Sequence, residues 1–98
     1  MILKSIEFAE SAVCDLEDIL VWYSGLQVPE VGERLVREIF IRTEQLAGHH
    51  ESDRIVPEFD VKTIRELIHP PYRIVYRMDS FKLWIIRVWR SERLLSLP

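Results

Sequence analysis

Covalent and metal staples are scarce in this chain. Its one cysteine, Cys14, cannot close an internal disulfide, and no Cys/His group shows the spacing of a metal site. Stability must therefore come from buried apolar surface, and a lone thiol suits a reducing compartment. Three glycines and five prolines leave little room for flexible linkers or low-complexity tracts. No window approaches the roughly 18 uninterrupted apolar residues of a membrane span. The opening MILKSIEFAESAV also lacks the long apolar stretch of a signal peptide. These absences predict a soluble, unexported, cytoplasmic protein with no membrane partner and no metal or organic cofactor. What is present is ordinary for a globular chain: 98 residues, 48% hydrophobic and 30% charged. That supports a single domain over residues 1–98, because two cores would each be too small to offset the entropy of the chain.

The net charge of −3 conceals an asymmetry. Residues 1–60 carry five Lys/Arg against 13 Asp/Glu, a balance of −8, while residues 61–98 carry eight against three, a balance of +5. Either the two parts match one another within the molecule, or one surface attracts nucleic acid or an acidic peptide although the whole molecule does not.

Periodicity orders the elements. Residues 2–8, ILKSIEF, alternate as a half-buried strand does. From Ala9, apolar residues recur at three- and four-residue steps through Ala12 or Val13, Leu16, Ile19 or Leu20, and Tyr23, with Glu10, Asp15, Glu17 and Asp18 on the other side. This predicts an amphipathic helix ending near Ser24-Gly25, where glycine tolerates the left-handed conformation that follows many helices. Pro29 then opens a second helix over 29–47, with Val31, Leu35, Ile39 and Leu46 in one stripe and Gly48 as its stop. HHESDRIVPEF has no period and reads as a loop. Three strand candidates follow, starting at Val61, Tyr72 and Lys82, all rich in β-branched and aromatic residues. Their short connections favour antiparallel neighbours. The expected fold is α+β, in the order β-α-α-β-β-β, with an antiparallel sheet packed against a helical hairpin.

Strand alternation then sorts the candidate residues. On the last strand Trp84, Ile86 and Val88 share an uncharged side expected to meet the helices, opposite Leu83, Ile85, Arg87 and Trp89. On the middle strand Tyr72, Ile74, Tyr76 and Met78 are expected inward and Arg73, Val75 and Arg77 outward. On the strand from Val61, Ile64 and Ile68 share a side with Glu66, and Arg65 is assigned outward with Thr63 and Leu67. Arg65, Arg73, Arg77 and Arg87 would then line the face without helices, with Trp89 at its end and Arg90 and Arg93 just beyond. Guanidinium groups bind phosphate and carboxylate bidentately and stack on rings, so such a face suits RNA, DNA or an acidic peptide. Arginines also line the wet side of many antiparallel sheets without further role. The remaining candidates are bland. His49 and His50 are loop residues, Trp22 and Tyr23 are packing residues, and Cys14 is a small core residue with no cation nearby to activate it. His69, at a turn beside two prolines, could act as an acid or base if it overhung the sheet.

In this order, FAESAVCDLEDILVWY, RIVPEF, IRELIHPPYRIVYR and IIRVWRSERLL resemble the RelE/ParE superfamily of toxins from bacterial type II toxin-antitoxin modules, closer to ParE. The resemblance covers nearly the whole chain. It implies a compact domain with an antiparallel sheet and two packed helices, held inactive by a small antitoxin encoded beside it. It also implies growth arrest, in a module of the plasmid-stabilisation type, once the antitoxin is degraded. RelE-like members cut messenger RNA on the ribosome, whereas ParE-like members inhibit DNA gyrase.

Cleaving RNA by 2′-hydroxyl attack needs a proton acceptor, a proton donor and cations for the charge that develops on phosphorus. Arginine supplies only the cation. Ribonuclease members commonly carry a His, or a Lys-rich set with a Tyr, at the end of the last strand and in the tail. Here the matching stretch is Trp89-Arg90-Ser91-Glu92-Arg93, with Arg90 where the His is common and no Tyr after Arg93. Only Arg93 and Arg73 match the family's arginines. A sequence pI near 5.6 also disfavours an RNA-rich site. The favoured expectation is a ParE-like toxin that acts by binding gyrase. Arg65, Arg73, Arg77, Arg87, Trp89, Arg90, Arg93 and Leu94 would then form the surface for target and antitoxin. If the protein is instead an endoribonuclease, His69, Tyr72 and Tyr76 would move protons and Arg73, Arg77 and Arg93 would hold phosphate. A third expectation is a non-toxic relative that only binds antitoxin.

Overall fold

A computed structural model describes residues 5–48, 54–55, 64–78 and 82–91. The elements are β1 (Ser5–Phe8), α1 (Glu10–Gly25), α2 (Pro29–Gly48), β2 (Arg54–Ile55), β3 (Ile64–His69), β4 (Tyr72–Met78) and β5 (Lys82–Arg90). The expected order is present. One two-residue strand, β2, lies inside the segment read as a loop, and it is a strand because its backbone pairs antiparallel with Glu66 and Arg65 of β3. The sheet runs β1-β5-β4-β3-β2. With only short connections between them, β3, β4 and β5 are antiparallel neighbours, whereas β1 pairs parallel to β5, so the sheet is mixed at that edge. A parallel pair is open to these two strands because the whole hairpin lies between them in sequence.

Helix α1 forms where Ala12, Leu16 and Ile19 repeat at helical spacing, and all three are buried. Its end differs in detail from the expectation. The left-handed residue is Gln27, at φ 64°, rather than Gly25. The Gln27 amide donates to Ser24 O at 2.9 Å and the Val28 amide to Tyr23 O at 2.9 Å, the paired bonds of a Schellman cap. Pro29 opens α2 two residues later, as expected. Gly32 lets the helices close, because a Cβ there would stand 3.1 Å from Tyr23 Cβ. In α2 Leu35, Ile39 and Leu46 are buried as the stripe predicts. The Thr43 hydroxyl is buried among them and donates to Phe40 O at 2.8 Å.

The hairpin covers one sheet face, where Ile74, Tyr76, Leu83, Ile85 and Val88 pack against Leu16, Ile19, Leu35 and Ile39. Burying each such aliphatic side chain contributes about 1.5–3 kcal/mol. Two parts of the strand reading need correction. On β5 the helix-facing set is Leu83, Ile85 and Val88, whereas Trp84 pairs with Arg77 on the opposite face. The cause is a bulge: Tyr76 pairs with Ile85 but Val75 with Arg87, so Ile86 is an extra residue and the two-residue alternation reverses there. On β3, Arg65 pairs with Tyr76 and Leu67 with Ile74, which puts Arg65 on the helix side of the sheet, away from Arg73, Arg77 and Arg87. Ile64, Glu66 and Ile68 take the other face. Counting within one strand cannot fix its parity when both sides mix apolar and charged residues. Among the described residues no helix is long and apolar enough to cross a membrane.

Candidate functional site

The face without helices is built around an ion pair rather than a row of free arginines. Arg73 is buried, and its Nε donates to Glu66 Oε2 at 2.7 Å while Nη2 donates to the same oxygen. The Glu66 side chain is 0% exposed. A carboxylate so buried is tolerated only because the guanidinium compensates it. Val75 and Trp89, with Ile64 packed against them, form a small apolar cluster on the same face. Of the arginines assigned to this face, Arg77 is the exposed one, across from Trp84. Lys82 adds a second cation, 5.0 Å from the Trp84 ring and 3.0 Å from Glu7.

Arg87 leaves the face for the strand edge. Among the described residues no strand flanks β5 beyond Phe8 on that side, and the start of α1 supplies the missing partners. The Ala9 amide donates to Ile85 O at 2.8 Å, and the Ser11 hydroxyl donates to Ile86 O, the bulge carbonyl, at 2.6 Å. Asp15 completes the set: its Oδ2 accepts the Val88 amide at 2.8 Å, and its two oxygens accept Arg87 Nε at 2.8 Å and Nη2 at 3.0 Å. Arg87 also lies 4.2 Å from the Trp89 ring. Sequence spacing puts Asp15 on the polar side of α1, yet it is buried. It stands one turn from Ala12 and from Ile19, and an acid within an apolar stripe is the signal that could have marked it.

Between α1 and the end of β5 lies a cleft of about 230 Å³ lined by Asp18, Ile19, Trp22, Tyr72, Trp89 and Arg90, among others. Arg90 lies 5.9 Å from the Tyr72 ring. The Tyr72 phenol is pushed up from 10.0 to about 12, first by burial and then by the Tyr23 hydroxyl, with Arg90 pulling the other way. The neutral phenol is thus the form the fold favours, and its contribution is complete below pH 10. As pH rises from 10 to about 12 the unfolded chain ionises first, so stability falls over that window. Denaturant titrations at stepped pH should show this decline in the unmodified protein and a flatter curve in Tyr72→Phe.

The sequence candidates are therefore not brought together. His69 pairs with Tyr72 in the register and is on the helix side, where its Nε2 is 3.1 Å from Glu38 Oε1 of α2. Tyr72 and Tyr76 are buried on that same side. Arg73 and Arg77 are on the opposite face, Arg65 is on the helix side, and Arg87, Trp89 and Arg90 cluster at the edge and end of β5. Arg93 and Leu94 lie outside the described residues, as do His49 and His50. Among the described residues no group of His, Cys, Asp and Glu could hold a metal ion.

A hairpin of helices on one face of a small mixed sheet defines a class of compact α+β domain, and several toxin-antitoxin structures share it. A chromosomal ParDE toxin-antitoxin system from P. aeruginosa matches with a TM-score of 0.77 at 24% identity, over 92% of this chain and 98% of that one. The RelBE2 toxin-antitoxin complex from Mycobacterium tuberculosis follows at 0.63 and 17%, over 91% and 99%. The E. coli DinJ-YafQ toxin-antitoxin complex gives 0.55 and 14%, over 97% and 100%. At these identities the likenesses establish the fold. No curated protein matches the chain. The family model for the ParE toxin of the type II toxin-antitoxin system parDE matches residues 6–95, and the chain belongs to that family.

Proposed function

We propose that this protein arrests bacterial growth by binding and inhibiting DNA gyrase, and that a cognate antitoxin neutralises it in a plasmid-stabilising module. Family membership supports the toxin role. One observation favours binding over RNA cleavage: among the described residues, His69, Tyr72 and Tyr76 are on the helix side of the sheet, and Arg73 and Arg77 are on the other. Cleavage needs base, acid and cation around one phosphate, within hydrogen-bond reach of it. His69, Tyr72 and Tyr76 cannot share a phosphate with Arg73 and Arg77 across a sheet. Tyr76 is wholly buried, His69 is held by Glu38, and Arg73 is committed to Glu66. What the helix-free face presents to solvent is Arg77 beside Trp84 and Lys82, a cationic and aromatic patch of the kind enriched at protein interfaces.

Purified protein freed of its antitoxin should inhibit DNA supercoiling by gyrase. Addition of the antitoxin should restore supercoiling, and Arg77→Glu should weaken inhibition at least tenfold without altering the unfolding midpoint. Full supercoiling activity at a large excess of folded, antitoxin-free protein would overturn the gyrase reading.

A further inference from the structure

One row of side chains crosses the helix-free face from β4 to the edge of the sheet. The register sets Arg77 of β4 beside Trp84 of β5, and Trp84 beside Glu7 of β1. Ile6 and Phe8 pack against the core, so Glu7, between them in the strand, is on the face without helices. The row therefore reads cation, indole, anion, with each outer residue one strand spacing, about 4.8 Å, from the central strand. Arg77 and Glu7 are exposed and Trp84 is half-buried. Among the described residues no carboxylate pairs with Arg77.

Such a row is complementary to itself. A second copy can be laid against it face to face, about a twofold axis that runs along β5 between the two Trp84 side chains. The rotation exchanges the two sides of the row, so Arg77 of each copy stands over Glu7 of the other and the indoles meet at the centre. An axis turned across the strands would set Arg77 against Arg77, so the charges select one orientation. Glu7 can take the second cation. Lys82, 5.0 Å from the indole, donates to Glu7 Oε1 at 3.0 Å, and a carboxylate accepts on both oxygens, which leaves Oε2 for the incoming guanidinium. The contact is weak for two reasons: the patch is small, and it holds one cation more than it holds anions.

We propose that the antitoxin-free protein pairs with a second copy of itself through the Arg77–Trp84–Glu7 row, as a weak symmetric dimer. The pairing stands on the row alone. Its consequence rests on the gyrase reading of the preceding subsection: the dimer hides the patch assigned there to gyrase, and is therefore an inactive form of the toxin.

Sedimentation of the purified, antitoxin-free protein over a concentration series should show a monomer–dimer equilibrium. Arg77→Glu sets acid against acid at both ends of the row, and Glu7→Arg sets cation against cation. Both positions are exposed, so the variants fold, and each alone should raise the dimer Kd at least tenfold. An equal mixture of the two variants regains both opposite-charge contacts in the mixed dimer, and should associate at least tenfold more tightly than either variant alone. Glu44→Lys, a charge reversal at an exposed site of α2, should leave the dimer Kd unchanged. A protein that stays monomeric at millimolar concentration, variants that dimerise as well as the unmodified chain, or a mixture that associates no better than its components would each overturn the pairing while leaving the gyrase reading intact. A dimer, held by this row, that inhibits gyrase as fully as the monomer would instead overturn the patch as the gyrase contact.

Discussion

Replacing Arg73 by alanine is expected to destabilise the fold by about 3–5 kcal/mol, because it strands the buried Glu66 carboxylate. A domain of this size has only about 5–15 kcal/mol to lose. Each kcal/mol lowers Tm by about 4–8 °C at this length, so the variant should melt far below the unmodified protein, if it folds at all. Joint replacement, Arg73→Met with Glu66→Leu, removes both charges and should recover most of the loss. Thermal unfolding of the two variants against the unmodified protein reads the effect directly. A single-variant Tm within two or three degrees of the parent would contradict the ion-pair account. There is a consequence for function: loss of toxicity in Arg73→Ala would report unfolding rather than a broken target contact. Arg77, exposed on the same face, is the informative position.

Asp15→Ala should have the next largest effect, about 2–4 kcal/mol. It removes the acceptor of the Val88 amide and the partner of Arg87, and so opens the edge of β5 that α1 seals. Asp15→Asn keeps an acceptor for Val88 and should lose less. Hydrogen exchange separates this edge effect from general loosening. The Val88 amide should lose its protection in Asp15→Ala, while the amides of β4, in the interior of the sheet, keep theirs until global unfolding. Unchanged protection at Val88 would show that Asp15 does not seal the edge.

Most of the architecture was legible in the sequence because its signals are local. The three- and four-residue repeat around Leu16 and Ile19, the proline opening α2 and the short connections on either side of β4 each act within a few residues. The failures arose where a local pattern depends on a distant partner. Ile86 is a bulge only in register with β4, so an alternation counted through it reverses the faces of Trp84 and Ile85. Glu66 looked like a polar interruption of a strand, and its burial makes sense only once Arg73 stands across from Ile68 beside it. Asp15 looks like one more surface acid because nothing near it in sequence shows that Val88 and Arg87, about 70 residues later, meet its oxygens. The candidate site was legible in composition, as a basic and aromatic last part of the chain. Its division between two faces was not, because that division is a property of the sheet.

If this toxin binds gyrase, as proposed, and does not cut RNA, replication should fail before translation does. Pulse labelling of DNA and protein synthesis after controlled induction in bacteria, without the antitoxin, tests it most directly. The account predicts that DNA synthesis falls within the first minutes, with induction of the SOS response, while translation continues. Early loss of translation with cut messages on the ribosome, while DNA synthesis persists, would contradict it.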